Sequence, residues 1–325
     1  MRVLVTGSSG HLGEALTRVL GSEGHDVLGL DVLDSPHTQA VGSIVDRECV
    51  RRCVEGVDAI VHAATLHKPH VGTHTRRQFV DTNMTGTLNL LEAAIAAGVG
   101  RFVFTSTTSA FGRALTPPDG APAAWITEDV PPVPRNVYGV TKVAAEDLCE
   151  LVHRDHDLPC LILRTSRFFP EADDRDELRA GYEDGNLKVN ELLYRRVDLE
   201  DVVSAHRLAL EHAPAIGFGR YIISATTPFT RDDLATLRED APTVVRRLFP
   251  DYEAVYAERG WRMLPGIDRV YMNERARSEL GWLPRYDFRH ALDRLQAGED
   301  PRSPLALTVG AKGYHPVSTG PYTVR

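Results

Sequence analysis

Cysteine is scarce: the 325-residue chain holds four, at 49, 53, 149 and 160. So few thiols in so long a chain exclude a disulfide scaffold and fit a reducing, cytoplasmic setting. Cys49 and Cys53 stand four apart on an expected helix, with no second ligand pair beside them, so they read as core or surface thiols. Long apolar runs are missing too. No stretch approaches the 18 or more residues of a membrane span. The N-terminus runs straight into a core-like strand, which predicts no signal peptide. Dense basic runs are also absent, and at a formal net charge of −8 nucleic acid is not an expected partner. The remainder, 42% hydrophobic and 25% charged, is ample for a large core in one big domain or two intimate ones.

Against that background the N-terminus stands out. Arg2-Val-Leu-Val-Thr6 is a short β-branched apolar run and reads as a buried parallel strand. Glycines follow within Thr6-Gly7-Ser8-Ser9-Gly10-His11-Leu12-Gly13, and Glu14–Leu20 has helical periodicity. Gly7 permits the tight turn, Gly10 lets backbone approach a pyrophosphate, and Gly13 lets the helix pack close to the strand. The helix then turns free N–H groups and its positive dipole end toward the phosphates. A second strand, Asp26–Asp31, ends in an acid 18 positions past Gly13. Asp31 is placed to accept hydrogen bonds from a ribose diol and to repel a 2′-phosphate, so the cofactor reads as NAD rather than NADP.

Strand-like runs recur at Ala59–His62, Arg101–Thr105, Cys160–Arg164 and Tyr221–Ser224, with helical patterns at Arg76–Ala97 and Val137–His153 between them. This alternation predicts an α/β fold, a Rossmann-type doubly wound parallel sheet. The expected division is a dinucleotide-binding domain over residues 1–165, its sheet completed by about 198–226. A smaller substrate-binding lobe covers 166–197 and 227–297, and an extended tail covers 298–325. Pro170–Asn186 reads as an acidic loop.

A second constellation lies downstream. Asn136-Val-Tyr138-Gly-Val-Thr-Lys142 opens a helix after a proline-rich stretch, so Tyr138 and Lys142 share a face one turn apart. A phenol near pKa 10 is a poor base at neutral pH, and a nearby ammonium moves it toward the working range. The same lysine can hydrogen-bond a nicotinamide ribose. The strand Arg101–Thr105 runs into Ser106-Thr107-Thr108-Ser109, which sets hydroxyls at the sheet edge where a cofactor must lie.

Taken with Val61-His-Ala-Ala-Thr65, Asn83-x-x-Gly86-Thr87, Phe104–Gly112 and Leu280-Gly-Trp-x-Pro284, these patterns make the chain similar to extended short-chain dehydrogenases/reductases of the NAD-dependent epimerase/dehydratase family, from residue 1 to about 295. The resemblance implies that Thr107 fills the catalytic Ser/Thr position, Tyr138 is the general acid/base and Lys142 its partner. It implies that Ala63, Ala64 and Thr65 line the pyrophosphate and ribose, that Ser43 and Ile44 lie at the adenine, and that Asn83 supports the active-site helix. It also implies a two-fold homodimer built on the two long helices. Two departures bear on the reaction. Dehydratases of the family carry Asp-Glu after the catalytic Thr, where this chain has Thr108 and Ser109, which argues against water elimination. Nucleotide-sugar members follow the strand ending at Arg164 with an Asn and a long insert. Here the text is Arg164-Thr-Ser-Arg167-Phe-Phe-Pro-Glu171, a layout also similar to uronate dehydrogenases.

Candidate substrate contacts are His67, Thr108, Arg167 and Arg262. Arg167 suits a substrate carboxylate through a bidentate pair. Arg195-Arg196 and Arg262/Arg269 are either a clamp for a phosphate or carboxylate or solvated surface arginines. His67, His70 and His74 lie in a Pro/Gly loop without a neighbouring carboxylate, so no metal site is expected and His67 is read as facing the ribose or substrate. Tyr182, Tyr194, Trp261 and Trp282 read as lobe packing. The resulting expectation is an NAD-dependent enzyme acting on a secondary alcohol or ketone of a sugar-like small molecule. Its principal form is a sugar or nucleotide-sugar epimerase. The alternative is a net dehydrogenase of a sugar acid or other small hydroxy compound, and a remoter one is a non-catalytic NAD-binding regulator.

Overall fold

The computed structural model describes residues 1–312. Among the described residues nine strands form: β1 Arg2–Thr6, β2 Asp26–Asp31, β3 Ala40–Val41, β4 Ala59–His62, β5 Arg101–Thr107, β6 Ala124–Ile126, β7 Cys160–Thr165, β8 Phe218–Ile223 and β9 Arg269–Tyr271. Seven make one sheet in the order β3-β2-β1-β4-β5-β7-β8, every pair parallel. The chain winds outward in both directions from β1, so a crevice opens beyond the C-terminal ends of β1 and β4. That is where open parallel sheets bind ligands.

Strand alternation sends each residue set to its own helical layer. Val3 and Val5 face the helices His11–Ser22 and Leu199–Ile216, together with Leu161 and Leu163. Leu4, Phe102 and Ile162 face Arg47–Val54, Gly86–Ala97 and Val137–His156. A separate apolar cluster joins Leu187–Tyr194 with Phe229, Tyr256 and Phe288. A two-stranded parallel sheet, β6 with β9, ties the stretch after β5 to that cluster. Among the described residues no helix is long and apolar enough to cross a membrane.

Four local expectations change. The single helix expected over Arg76–Ala97 is Arg76–Val80, a π-turn at Asp81–Thr85, and Gly86–Ala97. The π-turn sits where Asn83 turns its amide inward, the usual setting of such bulges near functional sites. The expected acidic loop Pro170–Asn186 contains the helix Asp176–Gly181 and the start of Asp184–Glu191. β3, β6 and β9 escape periodicity because two or three residues carry no period. The tail is not wholly extended: Pro304–Val309 is a helix capped by Ser303, whose Oγ accepts from the Ala306 N–H at 3.0 Å, and Val309 packs in the sheet's core. Residues 313–325 lie outside the described residues.

Candidate active site

The glycine turn is built by exclusion. Gly7 has φ +75°, and its N–H donates to the Leu30 carbonyl at 2.8 Å. A Cβ on Gly7 would lie 2.8 Å from the Ala64 nitrogen, and one on Gly13 only 1.9 Å from the Gly7 carbonyl oxygen. Those two glycines are demanded by the protein's own backbone. Gly10 is not: its φ is −76°, and a Cβ there would meet only the Gly7 oxygen at 3.3 Å. Its bare backbone is therefore surface for something that must come close, beside a helix N-terminus that no side chain caps among the described residues. Asp31 ends β2 beside this turn. Its Oδ2 accepts from the Ser9 N–H and its Oδ1 from the Leu33 N–H, both at 3.0 Å. The cradle and the acid fit a dinucleotide with an unmodified ribose diol.

Other members of the expected cofactor set divide. Ala63 and Ala64 follow β4, and their N–H groups donate to Thr6, one to its carbonyl and one to its hydroxyl. Thr65 donates to Asn83 Oδ1 at 3.0 Å. Ile44 is buried against Gly86, and Asn89 donates to its carbonyl at 3.0 Å. Ser43 accepts from the Val45 N–H at 3.2 Å beyond the end of β3. The Ser9 hydroxyl donates to the Leu33 carbonyl at 3.0 Å. Leu12 buries its side chain in the core. His11 sets Nε2 3.1 Å from Glu171 Oε1 and accepts from the Lys312 N–H at 3.1 Å. At positions 11 and 12 only the backbone is left to meet a phosphate.

The catalytic candidates converge from β5 and one helix. Asn136 caps the helix Val137–His156 by accepting from the Gly139 N–H at 3.0 Å, which fixes Tyr138 in the first turn and Lys142 in the second. Thr107 ends β5 and accepts from the Ser109 N–H at 3.1 Å, opening the short helix Thr108–Leu115. Burial pushes the Tyr138 phenol up to about 12, while the Thr107 hydroxyl beside it pulls the other way. Lys142 donates to the Thr105 carbonyl at 2.6 Å and lies 3.9 Å from the centre of the Phe104 ring. Burial brings its ammonium down to about 7, opposed by Glu146. In this state the ammonium is seated on Thr105, and Thr107 is the group that favours the phenolate. Burial acts against both charges, the phenolate and the ammonium.

Glu146 escaped the sequence reading. It is buried one turn beyond Lys142, accepts from Ser106 Oγ, and forms a fork with Arg164, Nη2 to Oε2 at 2.7 Å. The i, i+4 spacing from Lys142 was the available signal. Asn83 is also buried, donating to the Leu66 carbonyl at 2.8 Å and to Thr141 at 3.0 Å, so it ties the loop after β4 to the active-site helix.

One cavity of about 360 Å³ brings together Thr107, Thr108, Tyr138, His67, Arg167 and, from the lobe, Arg195 and Arg269. A model of the NAD dependent epimerase/dehydratase family matches residues 3–223. The chain belongs to this family. It is 29% identical to a 2-alkyl-3-oxoalkanoate reductase of Stenotrophomonas maltophilia over 91% of the chain and 99% of that protein. It is 26% identical to a UDP-glucose 4-epimerase of Azospirillum brasilense over 88% of each. Identity reaches 37% with the low-salt glycan biosynthesis protein Agl12 of Haloferax volcanii, but over only 52% of this chain and 57% of that protein. Among solved structures, a short-chain dehydrogenase/reductase superfamily protein from Agrobacterium tumefaciens with bound NAD superposes with a TM-score of 0.66. It is 26% identical over 91% of this chain and 96% of that one.

As a member of the family the chain is an enzyme with a Rossmann-type sheet and NAD as its cofactor, as the cradle and Asp31 anticipate. Two of the four expected substrate contacts look different in the structure. Arg262 does not line the cavity. Its guanidinium lies over the Tyr182 ring at 4.7 Å and donates to the Gly181 carbonyl at 2.5 Å, because the lobe brings Arg262 against the end of the helix Asp176–Gly181. Arg167 does line the cavity but is already paired with Asp173, with Glu191 Oε1 3.6 Å away. An Asp31→Ser variant is expected to weaken NAD and to admit NADP, since the ribose acceptor and the repulsion go together. Titration of the wild type with both cofactors checks this, and tighter binding of NADP than NAD would remove Asp31 from that role.

Proposed function

We propose that this enzyme interconverts a secondary alcohol and a ketone on a sugar-like substrate, in the first instance as an epimerase. The observation that carries this is the meeting of Thr107 and Tyr138 in one cavity, with Lys142 one helical turn beyond Tyr138 and seated on the Thr105 carbonyl. NAD held by the glycine cradle and Asp31 would supply the hydride acceptor and donor. Thr107 orients the reacting oxygen and Tyr138 takes or gives its proton. Lys142 holds a positive charge beneath the site, and Asn83 keeps the active-site helix in place. A regulatory role without chemistry leaves this intact set unexplained. The family's epimerase members, including the Azospirillum relative, support the first reading.

An epimerase has to keep its reduced cofactor between half-reactions. The protein is therefore expected to purify with NAD bound and to show no net NADH on incubation with substrate. Stoichiometric NADH, read by its absorbance, supports the net dehydrogenase instead. The cavity's basic lining favours that second reading to the extent that a sugar acid is the substrate.

The assembly we propose is a homodimer through the helices around Arg76–Ala97 and Val137–His156. Val80, Val140 and Leu151 on these helices are 37%, 52% and 41% exposed, an apolar face that a two-fold contact covers. A monomer in sedimentation at micromolar concentration sinks this part. Four free thiols, all buried, support a cytoplasmic setting.

A further inference from the structure

Resting on the sugar-like reading above, we infer that the cavity holds a carboxylate subsite made by Ser166, Arg195 and Arg269, so that the substrate is a sugar acid. Ser166 follows β7, where its N–H donates to the Ile223 carbonyl at 2.8 Å and prolongs the sheet. It is 3% exposed and lines the cavity, yet among the described residues its Oγ has no hydrogen-bond partner. Buried hydroxyls are almost always paired, so an orphaned one in a cavity wall points to a ligand atom.

Arg195 carries the same signature. Its Nη2 is spent on Glu191 Oε1 at 2.6 Å and Asp173 Oδ2 at 3.1 Å, while its buried Nε has no partner among the described residues. The two segments are joined, since the Arg167 N–H donates to the Arg195 carbonyl at 3.1 Å. Arg269 comes from β9 and lines the same cavity, its guanidinium 5.9 Å from the ring centres of both Tyr194 and Tyr271. Asp268 holds Nη1 at 2.8 Å.

Charge points the same way. The chain as a whole carries a net charge of −8. The cavity lining inverts that, with six Lys or Arg residues against three Asp or Glu. A lining with this excess attracts an anion. One hydroxyl and one guanidinium N–H are two donors for the two oxygens of a carboxylate. Arg167, the sequence candidate for this task, also lines the cavity but is paired with Asp173 and lies 3.6 Å from Glu191.

The test uses NAD-loaded Tyr138→Phe protein, which holds ligands without turning them over. Calorimetry compares a panel of hexuronates with the parent hexoses, the hexose 6-phosphates, and 3-hydroxybutyrate as a carboxylate without a sugar ring. At least one hexuronate is expected to bind about tenfold or more tighter than its parent hexose, the usual worth of a hydrogen bond to a charged group. Ser166→Ala and, separately, Arg269→Gln should each remove most of that preference while the affinity for the parent hexose stays, which also shows that the variants fold. Equal binding of acid and parent hexose, or a preference untouched by both substitutions, overturns the subsite and leaves the sugar reading standing. A 6-phosphate that matches the uronate overturns the assignment to a carboxylate. Binding of 3-hydroxybutyrate without any sugar keeps the subsite and overturns the sugar reading; no binding by any of them overturns both.

Discussion

Tyr138→Phe is expected to lower turnover by about 10²-fold or more, the usual worth of a positioned proton donor and acceptor. The substitution keeps the ring, which is buried, and removes only the oxygen that sits beside Thr107. NAD affinity should change little, because the cradle is made by Gly7, Gly10 and Gly13 on another element. The phenol's position sharpens the expectation. Burial holds it at about 12, so in the protein as it stands the proton stays on oxygen at neutral pH. A positive charge brought alongside, with Thr107 donating to the oxygen, is what makes it a usable base. Stopped-flow measurement of cofactor reduction separates this chemical step from binding. Near-normal reduction in the Phe variant would take Tyr138 out of the mechanism.

The second large effect is on stability. Glu146→Ala should cost about 3–5 kcal/mol, the range for breaking a buried ion pair by removing one partner. Arg164 is buried, and its fork to Glu146 is its main compensation: Nε reaches both oxygens at 3.1 Å and Nη2 reaches one at 2.7 Å. Loss of Glu146 also strands Ser106 and leaves Arg220 without a carboxylate that lies 3.4 Å from its Nε. Denaturant midpoints with an unchanged slope measure the loss. A midpoint close to wild type sinks the argument. The variant carries a second readout. Glu146 favours the charged form of Lys142, which burial has already brought to about 7. Without it the ammonium loses its proton at still lower pH. The alkaline side of the pH–rate profile should therefore move downward, whereas a purely structural lesion would lower the whole profile.

What could be read from the chain follows how far each feature reaches along it. The cradle is a contiguous strand, turn and helix, legible as such even though Gly7 answers to the distant Ala64 backbone while Gly13 answers to Gly7. Tyr138 and Lys142 are one turn apart on a helix whose start Asn136 marks. Asp31 closes the next strand. Glu146 could have been added by the same helical spacing, but nothing local says that Arg164 will meet it. The π-turn at Asn83 was hidden because its cause is tertiary: the amide bonds Leu66 and Thr141, on two other elements.

The arginines mark the limit. Arg262 and Arg269 stand seven positions apart with the same chemistry, and no pattern in the sequence tells them apart. Folding puts Arg269 on β9 at the cavity wall and turns Arg262 back onto Tyr182. Arg167 was found by its place after a strand, yet Asp173 and Glu191 had to fold in beside it before its charge was answered. The sequence alone thus indicated the Rossmann-type sheet, the NAD cradle and the one-turn spacing of Tyr138 and Lys142, because strand and helix alternation, the glycine turn and helical spacing are all legible in local stretches of chain. Only the tertiary structure decided which basic groups stay open to a ligand. That depends on neighbours brought from distant segments, and on burial that forbids a charge without one.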